Sequence, residues 1–170
     1  MSVKDQISAY INSQPEPKRG DMHELHRRAI RISPACRLSF FDGKDERGRT
    51  VSNPTIGYGS HTMRHADGTT KDVFRIGISA NATGISVYVL GIDDKAFLKK
   101  KFAAKLGKAS VTGYCIRFKS LTDVDVDVLE DVIRFGLGKR VDVGGRPTRE
   151  KSAAGARTKL AKPPLSARKK

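Results

Sequence analysis

Between Pro54 and Ile92 the chain changes period to one in which most apolar residues alternate with others, and this period of two points to a fold built around an antiparallel sheet. Phe74, Ile76 and Ile78 alternate with Arg75, Gly77 and Ser79, and Ile85, Val87 and Val89 alternate with Ser86 and Tyr88. Successive side chains of a strand point to opposite faces, so the pattern predicts one apolar face against a core and one partly polar face. The turn signals Ala66-Asp67-Gly68 and Asn81 to Gly84 divide the segment into TIGYGSHTM, KDVFRIGIS and ISVYVLGI, an antiparallel meander. RLSFF before it and Tyr114 to Lys119 after it read as further strands, about five in all.

The remaining apolar pattern is helical. Val3, Ile7 and Ile11 recur at helical spacing until Gln14-Pro15-Glu16-Pro17 interrupts them. Asp21 with Glu24 reads as a capping box, followed by the stripe Met22, Leu25, Ala29, Ile32 and a stop at Pro34. A third helix is expected from Asp93 or Asp94, burying Leu98, Phe102 and Leu106 and ending at Gly107. In TDVDVDVLEDVIRFGLG the aspartates alternate with valines as in a strand, while Val128, Leu129, Val132 and Ile133 recur as in a helix. A helix from about Asp125 reconciles both, because acids at its start complement the helix dipole and Gly136 and Gly138 supply its end. The expected fold is therefore α+β, an antiparallel sheet covered on one face by helices.

The chain has 170 residues, a normal size for one domain, and no apolar run approaches the roughly 18 residues needed to span a bilayer. The amino terminus MSVKDQISAY has no apolar signal core, so a cytoplasmic, non-membrane location is expected. Cys36 and Cys115 are too few and too far apart for a disulfide framework, and both sit in strand-like surroundings where cysteine acts as a small apolar residue. The net charge of +15 is uneven. Residues 146–170 hold nine Lys or Arg against one acid, which leaves the body 24 bases against 17 acids. The division expected is a domain over 1–140 and a disordered basic tail over 141–170, since RPTREKSAAGARTKLAKPPLSARKK has too little apolar content to offset its ordering entropy. Such a tail reads either as a loose electrostatic arm for nucleic acid or acidic partners or as a solubilising terminus.

Motifs of known chemistry fail. GKAS at 107–110 lacks the earlier glycine of a P-loop, and GYGS at 57–60 lacks the helix that a dinucleotide fold requires. Asp123, Asp125 and Asp127 fall short of a calcium loop. No nucleophile elbow or triad is legible, so no catalytic residue and no cofactor is expected. On the sheet face opposite the helices, however, Arg75, Tyr88, Arg117 and Lys119 share one phase, with His61 in the same phase and Gly57 and Gly59 offering bare backbone. These residues form a candidate cationic platform for an anion or nucleic acid, with stacking on Tyr88 and ion pairing to the arginines. The bland alternative is a solvated face with ordinary cross-strand charges.

QPEPKRGDMHELHRRAIRISP, IGYGSHTM, GISVYVLGI and LGKASVTGYCIRFK together resemble the bacterial YdhG-like domain family, across nearly all of the body and none of the tail. The resemblance implies an α+β domain of unknown function, similar to frataxin, and brings no catalytic residues. Part of that family resembles frataxin-type iron chaperones, which hold iron on clustered carboxylates. Here the first helix offers Asp5 alone and the second is basic through Lys18, Arg19, Arg27 and Arg28, so a metal site is not expected. The pairs His23/His26 and His61/His65 are the residual metal option, although HELH lacks the i, i+4 spacing of helical zinc motifs. The readings that stand are a non-catalytic binding domain of unknown ligand or protein partner, a nucleic-acid-associated protein, and a frataxin-like metal chaperone.

Overall fold

The computed structural model describes residues 1–138; the basic tail expected over 141–170 lies outside the described residues. In chain order the elements are α1 (Val3–Asn12), α2 (Lys18–Ile32), β1 (Leu38–Phe41), β2 (Thr55–Tyr58), β3 (His61–Arg64), β4 (Thr70–Val73), β5 (Ile76–Asn81) and β6 (Gly84–Val89). A π-helical stretch (Lys99–Ala103) then runs into α3 (Ala104–Leu106), followed by β7 (Ser110–Thr112), β8 (Cys115–Phe118) and α4 (Val126–Gly136). Six strands form one antiparallel sheet in the order β1-β2-β5-β6-β8-β7, and β3 and β4 pair as a separate ribbon. The α+β reading holds, with a sheet one strand larger than expected.

The expected long strands TIGYGSHTM and KDVFRIGIS are each broken in two. Gly59 turns the first with a φ of +77°, a conformation costly for residues with a Cβ, and the second breaks at Phe74 and Arg75. The outer halves leave the sheet as the β3-β4 ribbon.

Register brings the apolar phases into line. Ile56 pairs with Ile78, Ile78 with Val87, and Val87 with Ile116, while Tyr58, Ile76 and Val89 form the neighbouring row. All seven are fully buried. On this face α1 lies against β1, α2 against β5 and β6, and α4 against β6. Each fully buried Ile, Leu or Val contributes about 1.5–3 kcal/mol relative to exposure. Leu98, Phe102 and Leu106 are buried as expected, on a helix that is π-wound through its middle.

Polar ties orient the helices. Asp125 caps α4, accepting from the amides of Asp127 and Val128. Asp21 does not cap α2, which begins earlier, at Lys18; its carboxylate accepts instead from the Leu121 amide at 3.0 Å and from the Ser120 hydroxyl at 3.1 Å. Glu130 on α4, nearly buried, accepts from Arg28 and Arg31 on α2 at 2.5 Å each. Tyr10 on α1 donates to the Pro54 carbonyl and accepts from the Ala80 amide at 2.8 Å.

Beneath α2, His26 Nδ1 lies 2.7 Å from the hydroxyl of fully buried Tyr58. Burial pushes the Tyr58 phenol well above its ordinary range and, with His23 nearby, holds the His26 imidazole below its usual 6.5. The unfolded chain thus binds the extra proton first. Stability from neutral His26 is complete above about pH 6.5 and is lost as the pH falls from there toward the lower folded value. The acids with depressed values, among them Glu24 at about 2, act only at lower pH. The thermal midpoint should therefore fall between pH 7 and pH 5, and His26→Gln should flatten that slope. An unchanged slope in the variant would show that another group is responsible.

Candidate anion-binding face

The polar phase of the sheet faces away from the helices in two rows. One runs Ser39, Gly57, Gly77, Tyr88, Cys115, Thr112, and the next includes Ser79, Ser86, Arg117, Ser110. The two halves of this face differ. Over β2 and β5 it is covered, because Phe74 leaves the apolar phase where the strand breaks and lays its ring across the two glycines. A Cβ on Gly77 would lie 2.4 Å from Phe74 Cε2, and one on Gly57 would lie 2.8 Å from Phe74 Cβ. Phe41 meets the same ring edge-on at 5.5 Å. The expectation that Phe74 joins Ile76 and Ile78 in the core, and that Gly57 presents bare backbone to a ligand, is corrected here: the absent side chains make room for a ring of the chain itself. Gly59 likewise lies against Leu137 and Arg75.

Over β6, β8 and the edge strand β7 the face stays open. Two confluent depressions occupy it, of about 480 and 550 Å3. The first is lined by Ser86, Tyr88, Cys115 and Arg117, and the second by Lys108, Ser110, Arg117 and Lys119; Asn81 and Thr83 border both. Asn81 is fixed by its own turn, donating to Ser86 Oγ at 2.8 Å and accepting from the Thr83 amide at 2.9 Å. Lys18 reaches the Asn81 carbonyl from α2. No carboxylate is among the described residues that line either depression. Burial pushes the Cys115 thiol above its ordinary range, so it supplies no thiolate nucleophile at neutral pH.

Of the residues singled out from sequence, Arg117 lines both depressions, with Tyr88 in the first and Lys119 in the second. Arg75 and His61 line neither. Arg75 is turned to the carboxyl end of α4, donating to the Gly136 carbonyl at 3.3 Å, where a cation complements the helix terminus. His61 belongs to the β3-β4 ribbon and packs beside Gly91. Lys108 and Asn81 were not legible as site residues, because Lys108 reaches the face only through the register of β7, a strand too short to announce itself. His23 bonds Asn12 and His26 bonds Tyr58, and no three His, Cys, Asp or Glu converge on a metal position among the described residues. Nor does any described helix have the length and apolarity to cross a membrane.

Chemically the arrangement offers three cations and one half-buried phenol around a floor of small hydroxyl side chains. Its charge is complementary to phosphate or another anion, and no nucleophile–base pair is among the described residues that line it. Comparison with family models, with curated proteins and with solved structures returns no match.

The fit between Phe74 and the glycines can be tested by a double-mutant cycle. Gly77→Ala should cost about 1–3 kcal/mol in urea denaturation by overpacking the ring. In a Phe74→Ala background most of that cost should vanish, and equal costs in both backgrounds would contradict the ring's position.

Proposed function

We propose that the chain is a non-catalytic binding domain whose open half-face takes a polyanion, with single-stranded nucleic acid as the ligand class. One observation supports this above the rest: Lys108, Arg117 and Lys119 line two confluent depressions, one of them walled by Tyr88, with no carboxylate among the described lining residues. Like-signed charges gathered without counter-ions raise the local potential and favour an anionic ligand. A backbone phosphate fits the cations, and a base can stack on the exposed part of Tyr88. With a single aromatic, sequence preference is expected to be weak. The basic tail, with nine Lys or Arg over 146–170, would add salt-sensitive affinity of its own.

Fluorescence anisotropy with a labelled single-stranded oligonucleotide over a salt series separates the two contributions. A chain ending at Gly145 should still bind, and Arg117→Ala with Lys119→Ala should reduce the salt slope by about 1.4, as loss of two phosphate contacts requires. Tyr88→Ala should weaken binding by about 1–3 kcal/mol. Binding that disappears with the tail would assign the nucleic-acid interaction to residues beyond the sheet and remove this reading.

A further inference from the structure

On the helix side of the sheet, away from the cationic face, α1, α2 and β1 enclose a groove of about 340 Å3, within the range of small-molecule sites. Its floor is aliphatic, formed by Ile7, Ile11, Ile30 and Leu38. Its polar groups are Lys4, Ser8, His23 and His26, again without a carboxylate among the described lining residues. A groove with an oily floor and a cationic, donor-bearing border is complementary to an amphipathic anion.

The donor at His26 is fixed by what lies beneath it. The Tyr58 hydroxyl is buried, so its proton needs an acceptor, and His26 Nδ1 lies 2.7 Å from it. With Nδ1 accepting from Tyr58, the neutral imidazole carries its own proton on Nε2, for which no hydrogen bond is seen among the described residues. The depressed basicity of this imidazole keeps it in that neutral, donating form at neutral pH. Lys4 and His23 stand exposed at the same groove, and His23 donates away from it to Asn12 Oδ1 at 3.1 Å. Lys4 is thus the ammonium available to a bound anion.

We infer that this groove binds a medium-chain aliphatic monocarboxylate, its hydrocarbon on Ile7, Ile11, Ile30 and Leu38 and its carboxylate between His26 Nε2–H and the Lys4 ammonium. The inference is independent of the polyanion reading, which concerns the opposite face.

Isothermal titration calorimetry of the full chain with hexanoate, octanoate and their matching alcohols tests it. Affinity should rise about fourfold for each added methylene. Carboxylates should bind several-fold more tightly than alcohols of the same length, and Lys4→Ala should erase most of that difference while leaving the alcohols unchanged. Ser8→Trp, at an exposed lining position, should abolish binding without lowering the thermal midpoint. Absence of saturable octanoate binding, equal affinity for acid and alcohol, or binding indifferent to Ser8→Trp would each overturn the assignment.

Discussion

The structure depends on a sheet that is apolar on one face only. The rows running through Ile78 and Ile76 are continuous across the central strands because the register never slips, and a slip of one residue would send every one of those side chains to the other face. Covering that surface is the main driving force for helix packing. It explains why α1, α2 and α4 all lie on one side, and it leaves the polar phase to be closed by other means or left open.

Both outcomes occur on the same face. Over β2 and β5 small residues at 57 and 77 admit Phe74, and Ser79 is satisfied by the Pro54 carbonyl at 2.7 Å. Over β6 and β8 no ring of the described residues covers the face, and Arg117 stands between Tyr88 in one depression and Lys108 and Lys119 in the other. The polar ties sit at the margins of the core. Glu130 between Arg28 and Arg31, and Asp21 at the Ser120 turn, fix helix orientation more than they add net stability, since desolvation offsets much of an ion pair's attraction.

Much of this was legible in the sequence. Period-two alternation identified β5 and β6, and the helical recurrence of Leu129, Val132 and Ile133 placed α4 correctly, with Asp125 as its cap. What periodicity could not show was where a strand stops being part of the sheet. Phe74 and Arg75 kept the phase of β5 on paper, yet the break between β4 and β5 turned Phe74 to the polar face and Arg75 to the end of α4. The glycine pair at 57 and 77 was the available signal, because adjacent side-chain gaps on two paired strands call for something to fill them. Asp21 shows a second limit: a capping sequence is local, and its carboxylate found a tertiary partner 100 residues away.

The central claim is that the uncovered half of the polar face, and not the sheet as a whole, is the binding surface. Amide chemical-shift mapping with a short single-stranded oligonucleotide tests it most directly. The account predicts perturbations at Ser86, Tyr88, Cys115, Arg117 and Lys108, with the strands beneath Phe74 unmoved. Perturbations confined to residues 141–170, or spread evenly over β2 and β5, would contradict it.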